Sequence, residues 1–246
     1  MKWLDGEVIE NHQWNDRLFS LKIKAPLETY KPGQFVRVGL EIDGEVLARP
    51  YSLVSAPDKD YLEIYFNIVP EGPLSSLLAE LKAGDNIKVA GKAAGFLVVD
   101  EVPDVKHLWM LATGTAIGPF LSILKTSQPY QRFEKIVLCY SVRSKDELSY
   151  MDTINELIEE HGDRLCFVPF VTREEYDGAI RDRIPVSIKN GVLEERAGIE
   201  ISPGDSHVMI CGSSAMMKDV SEVLNERGLR KHLRREPGHI TSEKYH

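Results

Sequence analysis

The sequence predicts a β plus α/β chain in two parts, a small antiparallel barrel or sandwich followed by a parallel sheet covered by helices. Three observations predict it. Short alternating segments broken by turn residues fill the first hundred positions. Continuous apolar runs then alternate with helical patterns. The length of 246 residues accommodates two modest domains at roughly 100–200 residues each.

The first part is read from its period of two. In Gln34–Leu40 every second position is polar or small, as one face of a sheet requires. Tyr61–Val69 places Leu62, Ile64, Phe66 and Ile68 on one face, and Asn86–Val89 alternates again. Pro32-Gly33, Asp43-Gly44, Glu71-Gly72-Pro73 and Ala83-Gly84-Asp85 supply turn chemistry between them. Only Leu74–Leu81 has helical spacing, through Leu74, Leu77, Leu78 and Leu81.

The second part changes rhythm. His107–Ala112 is continuously apolar, as a strand buried on both faces must be. A helix is expected from Pro119 to about Lys125, then a strand at Lys135–Tyr140. Ser144 and Glu147 form a capping box for a helix whose inward face is Leu148, Met151, Ile154, Leu157 and Ile158. Strands follow at Leu165–Val171 and His207–Cys211, and a last helix ends near Gly228. In an open parallel sheet ligands bind at the carboxyl ends of strands. Chemistry is therefore expected after residues 112, 140, 171 and 211.

Composition narrows the function. Asp and Glu outnumber Lys and Arg by 38 to 30, a net charge of -8. A nucleic-acid partner is not expected, because neutralising phosphates takes basic excess. No apolar run approaches the roughly 18 residues of a membrane helix. The start, Met1-Lys2-Trp3-Leu4-Asp5-Gly6, lacks an apolar signal region. The expectation is a cytoplasmic protein with no membrane contact. Cys139, Cys166 and Cys211 are widely spaced without a CxxC, which argues against a disulfide framework and a four-cysteine metal centre. Cys139 and Cys166 read as reduced core thiols.

Five motifs carry chemistry. In Arg49-Pro50-Tyr51-Ser52, a guanidinium suited to a diphosphate stands beside an aromatic ring and a hydroxyl. Strand alternation points Arg49 and Tyr51 one way and Pro50 and Ser52 the other; a plain barrel strand fits the same letters. Glu71–Ser76 is a Gly-Pro turn opening a short helix, a phosphate site or an ordinary cap. Thr113–Pro119 follows a buried strand and opens a helix with Gly114 and Gly118, without the GxGxxG spacing. Arg143, Arg173, Arg181 and Arg183 follow strands, where they suit a phosphate on an adenine ribose or face solvent. Cys211-Gly212-Ser213-Ser214 ends a strand with small residues that leave room for a ring or cap a helix.

In this order the motifs resemble the ferredoxin–NADP(+) reductase family, in particular its bacterial branch. Residues 49–55, RPYSLVS, resemble its flavin motif; ATGTAIGPF resembles its pyrophosphate loop; VMICGSSAMM resembles its nicotinamide-side motif; and residues 231–239 look like the bacterial branch. The resemblance covers essentially the whole chain. It implies an FAD-binding β-barrel at 1–100 and an NADP-binding α/β domain with a C-terminal tail at 101–246. Arg49 would pair with the FAD diphosphate, Pro50 would belong to the same flavin-binding strand, Tyr51 would pack on the isoalloxazine, and Ser52 would sit near flavin N5. Tyr65, Phe66 and Asn67 would line the ribityl and adenosine side, and Leu74 and Ser75 the diphosphate. Thr115 would contact flavin or nicotinamide, while Arg143, Arg173 and Arg183 would hold NADP phosphates. Ser52 and Cys211 would tune the hydride step, and Tyr245 or His246 would cover the flavin.

The activity implied is exchange of electrons between NADP(H), as hydride, and the one-electron carriers ferredoxin or flavodoxin, by a monomer. Two alternatives share the fold: an NADPH-dependent flavin, quinone or ferric-chelate reductase, and a flavin-binding electron-input subunit of a larger complex. Although the chain is acidic overall, Arg227–His246 holds six Lys or Arg against Glu236 and Glu243. Such a local patch would steer an acidic carrier.

Overall fold

The structure, a computed structural model, describes residues 2–244. Tyr245 and His246 lie outside the described residues. The chain forms two compact units. The first comprises residues up to Val98 together with Gly118–Thr126; the second comprises Val99–Ile117 and Ser127 onward.

The first unit is a six-stranded antiparallel sheet of β1 (Trp3–Gln13), β2 (Leu18–Lys24), β3 (Phe35–Ile42), β4 (Glu45–Ser52), β5 (Leu62–Asn67) and β6 (Asn86–Ala90), in the order β4-β3-β6-β1-β2-β5. The two end strands meet. A bridge joins Leu53, just past β4, to Ile64 of β5, and the Val54 N–H donates to the Glu63 carbonyl at 2.8 Å. This contact closes the sheet into a barrel, so β4 and β5 are not left as open edges. Inward residues, among them Val8, Leu21, Ile23, Val36, Val38 and Ile64, form its core. The short α1 (Ser75–Glu80) buries Leu78 against that core, while Leu77 is exposed.

The second unit is a five-stranded parallel sheet, β11-β10-β7-β8-β9, of β7 (His107–Thr113), β8 (Lys135–Val142), β9 (Leu165–Val171), β10 (Ser206–Gly212) and β11 (Ile240–Lys244). Trp109, Val137, Val168, Val208 and Ile210 lie in one core cluster with residues of α5 (Ile184–Lys189), α6 (Val192–Ala197) and α7 (Ser214–Glu226). Helix α2 (Gly118–Leu124) follows β7 in sequence but belongs to the first unit, and α3 (Gln128–Arg132) returns the chain to the second.

Two local expectations fail. Ser144 caps no helix: α4 (Met151–His161) starts later, behind Tyr150 in a left-handed conformation (φ 62°). The Glu147 carboxylate instead accepts from the Arg143 N–H at 3.1 Å, stabilising a tight turn over 145–147. Leu148 therefore lies outside α4, whose buried face is Ile154 and Leu157. The C-terminal tail expected from the sequence contains a fifth strand, Ile240–Lys244, parallel to β10.

Candidate functional site

In the first unit the flavin-like motif is built on β4. Pairing with β3 sets Arg49 opposite Val38, Pro50 opposite Arg37 and Tyr51 opposite Val36. Arg49 is exposed while Tyr51, two residues on, is 8% exposed, and Ser52 is buried as well. The strand is thus covered on both faces at its end. The Tyr51 ring meets Phe66 edge-on, with centroids 5.9 Å apart. Burial pushes the Tyr51 phenol up to about 12, although the Arg49 charge opposes this, so it keeps its proton at neutral pH. The Arg49 guanidinium donates to the Ala48 carbonyl at 3.0 Å and makes no ion pair among the described residues. It keeps donor capacity for an anion.

The other barrel residues divide. Phe66 stacks on Phe19 at 6.1 Å inside the core, where Leu74 is also buried, so main-chain groups are what these two offer a ligand. Tyr65 lies on the opposite face of β5, across from Ser20 and 6.3 Å from the Trp14 ring. Asn67 is exposed at the strand end. The Ser75 hydroxyl accepts from the Val69 N–H at 2.9 Å and orders the turn before α1. No side chain caps α1, which leaves its first N–H groups without a side-chain acceptor. A guanidinium without a carboxylate competitor, a neutral buried phenol and a buried hydroxyl in consecutive register fit the diphosphate and ring of FAD.

In the second unit the candidate residues collect at one edge, as parallel strands require. Arg143 follows β8 and Arg173 lies two residues past β9. The ladder continues beyond the strands, because the Thr172 N–H donates to the Val142 carbonyl at 3.1 Å and the Arg173 N–H to the Arg143 carbonyl at 2.9 Å. Both side chains are exposed, and neither forms an ion pair among the described residues. Arg183 is the N-cap of α5 and is also exposed. Arg181 differs, with Glu175 3.2 Å away. Three uncompensated guanidiniums suit the phosphates of NADP(H).

Neighbouring strands β7 and β10 end together, with Cys211 opposite Ala112. A Cβ at Gly212 would lie 2.5 Å from the Thr113 hydroxyl, so a larger residue here would force Thr113 to shift. Thr115 is buried in the turn at Gly114–Ile117. Ser213 caps α7, accepting from the Met216 N–H at 3.3 Å. Burial pushes the Cys211 thiol well above its usual range, so it acts as a neutral, space-filling group and not as a nucleophile.

Sequence reasoning assigned no role in the site to Glu243. The β10–β11 register sets it opposite Cys211, and burial pushes its carboxyl up to about 7. Nothing in a polar segment such as Ile-Thr-Ser-Glu-Lys announces this. The basic segment is also revised. Glu101 grips Arg234 with contacts of 2.6 and 3.1 Å, and Glu194 holds Arg227 at 2.7 Å. Arg235 stands beside Arg234 at the tip of a tight hairpin closed by reciprocal Leu233 and Glu236 backbone bonds of 3.0 and 2.9 Å.

Comparison with known proteins matches both parts of the chain to oxidoreductase domains. Residues 7–96 match the family model described as Oxidoreductase FAD-binding domain, and residues 110–222 match Oxidoreductase NAD-binding domain. The chain is 46% identical over 244 residues to the flavodoxin/ferredoxin–NADP reductase of Escherichia coli (strain K12), covering 99% of this chain and 98% of that protein. It is 41% identical to the ferredoxin–NADP reductase of Pseudomonas aeruginosa, covering 91% and 89%. Among solved structures, a ferredoxin NADP+ reductase from Neisseria gonorrhoeae with bound FAD and NADP superposes with a TM-score of 0.95 at 34% identity, over 99% of both chains.

Proposed function

The chain belongs to the flavodoxin/ferredoxin–NADP reductase family, and from that premise we propose that it passes electrons between NADP(H) and a ferredoxin or flavodoxin through FAD. The observation that carries the cofactor choice is the pair of uncompensated guanidiniums, Arg143 and Arg173, tied at adjacent strand ends. Bound FAD supplies the exchange between two-electron hydride chemistry and single-electron transfer.

The residues of the chain bind and orient. Arg49 neutralises the flavin diphosphate, and Tyr51 presents a protonated phenol ring whose orientation Phe66 fixes. Ser52 offers a buried hydroxyl at the end of the same strand. Arg143, Arg173 and Arg183 hold nucleotide phosphates, with Arg173 and Arg183 toward the phosphate that distinguishes NADP(H). Cys211 and Gly212 end β10 with small residues, with Thr113 and Met216 packed against Gly212. The phenol and thiol keep their protons at neutral pH, so neither acts as a general base.

Arg235, with Arg230 and Lys231, forms the positive surface that meets an acidic carrier. Arg234 contributes less, since Glu101 cancels its charge. The deciding experiment is an absorption spectrum of the purified protein, followed by addition of NADPH and, separately, NADH. Yellow protein bleached rapidly by NADPH and slowly by NADH is the expected result. Colourless protein, or equal bleaching by both, would overturn the reading.

A further inference from the structure

Helix α2 is fastened along residues 52–55, directly after the flavin-like motif, by three separate contacts within the first unit. At its start, a Cβ at Gly118 would lie 3.3 Å from Val54 Cγ2 and 3.8 Å from the Ser52 carbonyl oxygen. At its middle, the Ser122 hydroxyl donates to the Ser55 carbonyl at 2.7 Å. Just beyond its end, Lys125 Nζ donates to the Val54 carbonyl at 3.1 Å and lies 3.7 Å from the Glu63 carboxylate. Ser55 is the hub. Its carbonyl also accepts from the Tyr30 hydroxyl at 3.0 Å, and its own hydroxyl accepts from the Glu63 N–H at 3.0 Å.

This is a costly way to pack a helix. Ser55, Glu63 and Ser122 are all buried, and Lys125 is mostly buried. Burial pushes the Lys125 ammonium below its usual range, against the opposing pull of Glu63. Apolar side chains would hold the helix with less desolvation. Directional bonds supply what they do not, a single position along the helix axis. That position matters because α2 continues the Thr113–Gly118 loop, and reacting atoms must be held within about 3–3.5 Å for transfer.

We propose that Ser122 and Lys125 are positioning residues, which through α2 fix the end of the nucleotide loop relative to Ser52 and so set the alignment for hydride transfer. This rests on the reading of 49–52 and 113–118 given above. The test compares Ser122→Ala and the neutral pair Glu63→Gln/Lys125→Met with Tyr30→Phe. The last removes a bond to the same Ser55 carbonyl while leaving every α2 contact in place. On FAD-loaded protein, four quantities are measured: single-turnover bleaching by saturating NADPH, FAD affinity, melting temperature, and amide hydrogen exchange across 113–126.

Both α2 variants should bleach about tenfold more slowly, with FAD affinity unchanged and faster exchange across 113–126. Tyr30→Phe should lower the melting temperature yet keep the wild-type rate. Wild-type rates in the α2 variants, or equal slowing in Tyr30→Phe, would make the network merely structural and overturn the proposal. If one α2 variant does not fold, the other reports on the same fastening. Wild-type protein that NADPH does not bleach would instead refute the functional reading, and the exchange data would still test the anchor.

Discussion

The backbone N–H of Arg173 donates to the carbonyl of Arg143 at 2.9 Å, which holds two exposed guanidiniums on adjacent strand ends through main chain alone. Either side chain can therefore be removed without loosening the other. Losing one charge-assisted contact costs about 1.5–3 kcal/mol. Arg173→Ala should raise KM for NADPH roughly 10- to 100-fold and leave KM for NADH nearly unchanged. Steady-state kinetics with both cofactors check this; parallel losses would remove Arg173 from the phosphate site.

Arg49 and Tyr51 should separate binding from stability. Arg49 is exposed and bonds the neighbouring Ala48 carbonyl, so Arg49→Ala should lower FAD retention after dialysis while leaving the melting temperature of the apoprotein nearly unchanged. Tyr51 fills core space against Phe66, so Tyr51→Ala should also destabilise the barrel, by about 3–5 kcal/mol for an aromatic-to-alanine change. Full FAD occupancy in Arg49→Ala would count against its diphosphate role.

Glu243 predicts a pH dependence of definite sign. Its folded pKa, about 7, lies above the ordinary 4.5, so the folded protein holds this proton more tightly than the unfolded chain. The associated stability is present below pH 4.5 and is lost as pH rises through 7. Glu243→Gln should melt close to wild type at pH 5 and higher than wild type at pH 8, by on the order of 2 kcal/mol. A difference that does not change with pH would mean that Glu243 ionises normally.

Carrier reduction should depend on Arg235 more than on Arg234, because Glu101 grips the latter. Arg235→Glu should slow flavodoxin or ferredoxin reduction at low salt and flatten its salt dependence. Reduction of ferricyanide, which needs no protein docking, should hardly change. If both rates fell together, the hairpin would be structural.

The sequence made the backbone plan legible where burial leaves a pattern. His107–Ala112, Lys135–Tyr140 and Leu165–Val171 are apolar because both sheet faces are covered, and all are strands. It was silent where a neighbour, not the segment, decides. Ile240–Lys244 is a strand because β10 offers it an edge. The Ser144–Glu147 spacing looked like a cap, but Glu147 found a nearer donor in Arg143. Phe66, which the resemblance places along the flavin, turns its ring into the barrel core and offers a ligand its main chain. Strand ends and small residues can be read from letters; the partner that a buried serine or glutamate will find cannot.

The return of Gly118–Thr126 to the first unit means that no single cut separates the two. During synthesis the barrel lacks its Ser122 and Lys125 fastenings until residue 126 has left the ribosome, by which time β7 has already been made. The barrel is thus completed only after the first strand of the second unit has been made, but before its other four. An exchange of parts with a relative must carry residues 118–126 along with the barrel they serve, and not with the sheet they follow.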